Sequence, residues 1–163
     1  MFNFKFKRHF LNFQCNFIIL KLLFNIMSHK NLRTVPVYRK ALELCAMSRE
    51  IASYVTFNKD LLKLYKSNSL RDIIADSLLT DAILIPQKIA QTESSLSHDE
   101  KLRNVSYINI MIKNINSYCT GLERDGVKEK EYLNLLRQEI KSFRRSFKKW
   151  TGSLPNNGNI QLP

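Results

Sequence analysis

Glycine, proline and cysteine are all scarce in this chain of 163 residues, which has four glycines, four prolines and three cysteines. An all-β domain depends on many tight turns built from glycine and proline, so their scarcity disfavours that class. Cys15, Cys45 and Cys119 are odd in number, far apart and without a nearby histidine. This pattern disfavours a disulfide framework or a zinc site and predicts a reducing, cytoplasmic location.

Acidic residues are also few. The chain has 14 Asp and Glu against 26 Lys and Arg, which gives a formal net charge of +12. Such a surplus favours a polyanionic partner, with nucleic acid first and an anionic membrane surface second. The carboxylates form no Glu-x-x-His metal pattern, and the sequence has no Walker loop, dinucleotide-binding fingerprint or nucleophile elbow. We therefore predict a chain that is not an enzyme and needs no metal or cofactor.

Residues 1–26 contain no acidic side chain and hold seven of the ten phenylalanines. Phe, Asn, Lys, Ile and Leu supply most of the segment, as expected of translated AT-rich leader DNA, and a more ordinary sequence begins at Met27. We interpret residues 1–26 as a non-native N-terminal extension. Two alternatives are a signal peptide, which lacks a small-residue cleavage site here, and a basic aromatic helix lying on a membrane surface.

Residues 32–154 carry four amphipathic helical patterns. The first begins at Pro36, a residue that suits the first turn of a helix, and the last ends at Gly152. Four such helices with short connectors can bury their apolar faces by packing on one another. We therefore predict an all-α fold, an antiparallel up-down four-helix bundle over 32–154, and a disordered tail over 155–163.

Ser-x-x-acid spacings mark the starts of the second and third helices. Ser69 with Asp72 resembles a capping box, and Ser97 with Glu100 matches one fully. The second helix is predicted to bury Leu70, Ile73, Ile74, Leu78, Ala82, Ile85 and Ile89. The third is predicted to bury a heptad-like stripe of Leu102, Val105, Ile108, Ile112, Ile115, Cys119 and Leu122.

The fourth helix, from Val127 to Leu154, separates apolar from positive side chains. Its apolar residues step by three or four along the chain and so share one face: Tyr132, Leu136, Ile140, Phe143, Phe147 and Trp150. Between them lie six cations, opposed only by Glu139: Arg137, Lys141, Arg144, Arg145, Lys148 and Lys149. A run of cations is often only a helix face exposed to solvent. A face whose charges are nearly all positive instead favours binding of a polyanion. We predict that these six contact nucleic-acid phosphates, while the aromatic side chains pack in the core rather than stack on bases.

Three groups of residues resemble a known family in their order and spacing. They are Pro36-Val37-Tyr38 followed by Leu42 and Leu44, the helix start Ser69-Leu70, and Lys148-Lys149-Trp150-Thr151-Gly152-Ser153-Leu154. Together they resemble small basic four-helix proteins over roughly residues 32–154. The family includes the accessory variability determinant of diversity-generating retroelements and proteins encoded in intervening sequences of bacterial 23S ribosomal RNA genes. Residues 85–91 keep only part of the Ser-Ile-Pro-x-Asn-Ile-Ala-Glu-Gly stretch of the second branch. This departure favours the first branch, or a divergent relative with neither role.

The resemblance implies a cytoplasmic bundle without an active site that forms a ring-shaped homo-oligomer, a pentamer in the retroelement branch. It implies a basic surface that binds the reverse transcriptase and its template RNA and supports error-prone copying into complementary DNA. Two alternatives stay open. An oligomeric scaffold related to the intervening-sequence proteins would bind ribosomal RNA or an acidic protein partner. A peripheral membrane protein would use residues 1–26 as its anchor, although that segment is too polar and too short for a span.

The interpretation of residues 1–26 predicts that a chain beginning at Met27 is as helical and as stable as the full chain. Thermal melts of both, followed by circular dichroism, test this. A large drop in the melting temperature on truncation would mean that the segment packs on the bundle.

Overall fold

The computed structural model describes residues 32–154, apart from the side chains of Leu61 and Tyr65. The predicted extension over 1–26 and the predicted tail over 155–163 lie outside the described residues. The chain divides into two units between Val35 and Pro36, and the described part of the first unit is a short 3-10 turn, Leu32–Thr34. The described part of the second unit holds five α-helices: α1 Pro36–Val55, α2 Leu61–Lys66, α3 Leu70–Ser94, α4 His98–Arg124 and α5 Lys130–Ser153.

The described residues contain no strand, which confirms the all-α class, and four of the helices are long. Each long helix packs against two others: α1 and α4 each contact both α3 and α5. The short helix α2 packs on α3, and of the four seams between long helices the α4–α5 seam is the least closely packed. None of the helices in the described range is long and apolar enough to cross a membrane.

The core lies between the four long helices. Its largest fully buried side chains come from all of them: Leu44, Leu78, Ile85, Ile89, Ile108, Ile112, Ile115, Leu122, Leu133, Leu136, Ile140 and Phe143. The stripe predicted for the third helix is confirmed, since every member from Val105 to Leu122 is buried and Leu102 is half-buried. The periodicity of α4 therefore fixes which face it turns to the core.

The start of α3 differs from the prediction. Leu70 and Ile73 are exposed by 59% and 49%, whereas Asp72 is buried. The inward face runs through Asp72, Ala75 and Leu78, so Leu70, two positions before Asp72, and Ile73, one position after it, lie off that face. The predicted capping role of Ser69 and Asp72 is also wrong, because Ser69 makes no side-chain cap bond.

Asp72 instead holds the connector before α3. The Lys59 ammonium donates to Asp72 Oδ2 at 2.5 Å, and the Ser67 hydroxyl donates to the same oxygen. Burial acts to raise the pKa of Asp72, but the hydrogen bonds from Lys59 and Ser67 and the charges of Lys59 and Arg71 outweigh it and lower that pKa. Lys59 precedes α2 and Ser67 follows it, so one carboxylate secures both ends of the short helix.

Helix α4, the third of the four helices predicted from the sequence, begins with half of the predicted capping box. Ser97 Oγ accepts from the Glu100 backbone N–H at 3.4 Å, as the box requires. The Glu100 carboxylate does not return to Ser97 but accepts from Ser95 Oγ at 2.7 Å, and the Ser97 N–H donates to Ser95 Oγ at 3.1 Å. In place of a direct bond between the Glu100 carboxylate and the Ser97 N–H, the Ser95 hydroxyl bridges these two groups.

Replacing Ile112 by Asp should unfold the bundle, because Ile112 is 1% exposed and the new carboxylate would have no partner. We expect a loss of more than about 3 kcal/mol, measured by chemical denaturation. Asn116→Asp on the exposed face of α4 is the control and should change little. Asn114 is unsuitable as a control since it donates to Asp81 Oδ2 at 3.0 Å. Equal stability of the two variants would contradict the assigned face of α4.

Replacing Asp72 by Asn should lower stability at neutral pH by about 1–3 kcal/mol through loss of the charged hydrogen bonds. A carboxyl with a lowered folded pKa stabilises the fold above its unfolded pKa, about 3.9, and the gain is lost as pH falls through the folded value. The parent should therefore lose stability below about pH 4 more steeply than Asp72→Asn. Denaturant melts between neutral and acid pH measure this. Asp76→Asn, one turn along α3, serves as the control, and identical acid profiles for parent and Asp72→Asn would refute the assignment.

Candidate nucleic-acid interface

The rotation of α5 about its own axis is set by its buried row. Its members step by three or four and then close with a threonine: Leu133, Leu136, Ile140, Phe143, Phe147, Trp150 and Thr151. The prediction that Tyr132 belongs to this row is wrong. Tyr132 is 47% exposed, and Leu133 is buried in its place. The Tyr132 ring instead meets the Tyr54 ring edge-on, with ring centroids 5.1 Å apart. The sequence alone could not separate these neighbours, because both are apolar.

The three aromatic residues of the basic half of α5 pack together in the core. The Phe143 and Phe147 ring centroids lie 5.8 Å apart, and those of Phe147 and Trp150 lie 5.7 Å apart. The indole N–H of Trp150 donates to Glu93 Oε1 at 2.5 Å, which ties α5 to the end of α3. The prediction that these rings pack in the core is confirmed.

Five of the six predicted cations have exposed side chains outside the buried row: Lys141, Arg144, Arg145, Lys148 and Lys149. We call these five the α5 cations. None of them forms a salt bridge with any residue in the described range. No acidic residue follows Glu139 in the helix. The charge of the α5 cations is thus uncompensated within the described bundle.

Arg137 is placed differently from the other predicted cations. It is half-buried, and its guanidinium donates to the two carboxylate oxygens of Glu123 at 2.6 and 2.8 Å. The hydrogen bond from Arg137 lowers the pKa of Glu123, and the same bond raises the pKa of Arg137. Arg137 therefore joins α5 to α4, and its charge is already neutralised by Glu123.

Several other cations are paired in the same way. Lys40 contacts Glu43 and Glu139, Lys59 contacts Asp72, and Arg71 Nε donates to Asp125 at 2.7 Å. Apart from Lys40–Glu43, which lies within α1, these pairs connect neighbouring helices or their connecting segments. The contrast indicates that the α5 cations are not needed to hold the described bundle together.

The polar edge of α4 next to α5 was not included in the predicted site. The helix has no acidic residue between Glu100 and Glu123, and Lys113 and Asn116 are exposed while Asn109 is half-buried. No hydrogen bond joins the Asn109 or Asn116 amide to another residue of the described range. The stretch without acidic residues is visible in the sequence, and it is the feature from which this edge could have been predicted.

The cysteines offer no reactive group within the described residues. Cys119 is fully buried, and burial raises the pKa of its thiol to about 11, so it stays protonated at neutral pH. Cys45 is half-buried, and burial raises its pKa as well. Over residues 32–154 there is no group of three or more His, Cys, Asp or Glu side chains that could hold a metal ion.

No family model, curated protein or solved structure matches this chain. The candidate interface is therefore defined by its own side chains. It consists of an acid-free cationic face held by a buried aromatic row, beside a polar edge of α4 that is also free of acidic residues.

Proposed function

We propose that this chain is a non-enzymatic protein that binds RNA by its phosphate backbone, using the α5 cations. The observation that carries the proposal is that these five exposed cations have no ionic partner in the described bundle, while Arg137, on the same helix, has one. An uncompensated cluster of one sign attracts a polyanion, and each phosphate it neutralises releases condensed counterions. The proposal assigns no reaction to the chain.

The spacing of the α5 cations suits a nucleic-acid backbone. Lys141 and Lys149 are eight residues apart, which is about 12 Å along a helix at 1.5 Å per residue. Over that length a cation occurs on every turn, and the buried row leaves all five on the exposed part of the helix surface. Because the neighbouring aromatic rings are buried, the face can hold phosphates but offers no ring of its own for base stacking.

We further propose that the four long helices run up and down as an antiparallel bundle. Contacts between helices support this direction. Arg71 at the start of α3 binds Asp125 just after α4, and Asp81, further along α3, accepts from Asn114, earlier in α4. In the same way Glu123 near the end of α4 binds Arg137 near the start of α5.

The narrower proposal is an accessory role in a diversity-generating retroelement, in the cytoplasm. There the chain would form a homo-oligomer and bind the reverse transcriptase and template RNA through the α5 cations. This proposal rests on the sequence resemblance described above. Four long helices and a basic face on the last one are in keeping with it, and the Lys148–Leu154 motif includes two of the α5 cations and Trp150.

The alternative is an oligomeric scaffold related to the 23S ribosomal RNA intervening-sequence proteins, binding an acidic protein partner or ribosomal RNA. The observation that favours a scaffold is a group of exposed apolar side chains at the α1–α5 seam and the end of α1: Tyr54, Phe57, Tyr132 and Leu135. Exposed apolar groups of this kind often mark protein–protein contacts.

Replacing Arg144, Arg145, Lys148 and Lys149 by Gln should weaken binding to a structured RNA and flatten its salt dependence. Each phosphate contact contributes a log–log slope of about −0.7 to −0.9, so the loss should amount to about three to four contacts. The melting temperature should stay nearly unchanged, because these side chains lie outside the core. Filter binding over a salt series measures the slope.

A matched control removes four exposed cations elsewhere, as Gln at Arg49, Lys66, Lys128 and Lys130. It lowers the net charge equally, so only the position of the charge differs. Equal slopes for the two quadruple variants would remove the α5 cations as the RNA surface. Absence of RNA binding by the parent at low salt, with binding of an acidic protein, would support the scaffold alternative.

A further inference from the structure

We propose that the α4–α5 seam selects RNA over DNA, with the α5 cations holding phosphates and the Asn109 and Asn116 amides on α4 binding ribose 2′-hydroxyls. The proposal rests on the proposed function and extends it from one helix to two. Phosphates are the same in RNA and DNA, so the α5 cations alone cannot separate them. Discrimination requires an uncharged group that contacts the sugar.

The Glu123–Arg137 ion pair sets the register of the seam. Asn116 lies seven residues before Glu123, and Arg144 lies seven residues after Arg137. Seven residues are two helical turns, about 10 Å, so each residue stays on the same edge of its helix as the ion pair. With α4 and α5 antiparallel, as proposed above, Asn116 and Arg144 lie opposite one another across the seam.

The same periodicity extends both edges. Asn109 lies two turns beyond Asn116 along α4, on the side away from the ion pair. Lys148 lies one turn beyond Arg144 along α5. Lys113 is exposed between the two asparagines. One edge of the seam therefore carries two amides and Lys113, and the facing edge carries Arg144 and Lys148.

The two asparagines are available to a ligand, whereas their neighbour is not. Asn114 donates to Asp81 Oδ2 at 3.0 Å, and that carboxylate also accepts from the Tyr118 hydroxyl. No such bond occupies the Asn109 or Asn116 amide within residues 32–154. The acid-free stretch of α4 also leaves no carboxylate between Glu100 and Glu123 to repel a phosphate.

The chemistry of the amide matches that of the ribose hydroxyl. An asparagine side chain both donates and accepts, and the 2′-hydroxyl does the same. In A-form RNA the wide, shallow minor groove displays 2′-hydroxyls beside the phosphates.

The test compares the parent with an Asn109→Ala, Asn116→Ala double variant, using an RNA duplex and a DNA duplex of one sequence. The parent should bind the RNA more tightly at fixed salt. Loss of two neutral hydrogen bonds should weaken RNA binding by about five- to thirty-fold, leave DNA binding within about two-fold, and leave the salt slope unchanged. The paired control, Ser106→Ala with Ser117→Ala on the outward face of α4, should change neither affinity.

Three results overturn the inference in different ways. If the parent binds both duplexes equally, or the double asparagine variant loses affinity for both, the asparagines do not read ribose. A normal salt slope for the parent would then leave the proposed function standing. If the parent binds neither duplex at low salt, the proposed function and the inference both fail. Thermal melts of each variant confirm that folding is retained.

Discussion

The fixed rotation of α5 is the constraint on which the rest of this structure depends. Phe143, Phe147 and Trp150 are buried against the other helices, and the Trp150 indole is tied to Glu93 by a 2.5 Å hydrogen bond. Because side chains on a helix share its rotation, burying this row turns the α5 cations outward. A core contact thereby determines where the positive charge of α5 lies.

The cations of this chain fall into two groups with different roles. Arg71, Arg137 and Lys59 each meet a carboxylate of another segment, and the Glu123 and Asp72 partners have lowered pKa values as a result. These pairs fix the ends of the helices. The α5 cations have no such partner in the described range, and no acidic residue follows Glu139 in that helix. This division allows the charge of the α5 cations to be changed with little cost in stability.

Much of the fold was predictable because periodicity reports burial directly. The stripe from Val105 to Leu122, the buried Phe143, Phe147 and Trp150, and the exposed cations from Lys141 to Lys149 all followed from spacing. The failures at the start of α3 and at Arg137 share one cause, which is a side-chain partner outside the helix itself. Asp72 is buried because Lys59 and Ser67 reach it, and this places Leu70 and Ile73 outward. Arg137 is half-buried because Glu123 lies across the seam. No local pattern encodes such partners.

The central claim is that the α5 cations are the surface that meets RNA. Lysine acetylation followed by mass spectrometry, with and without a structured RNA at low salt, tests it at each position. We expect RNA to protect Lys141, Lys148 and Lys149, while the exposed Lys63 and Lys66 on α2 react equally in both conditions. Protection of the α2 lysines with full reactivity of those on α5 would contradict it.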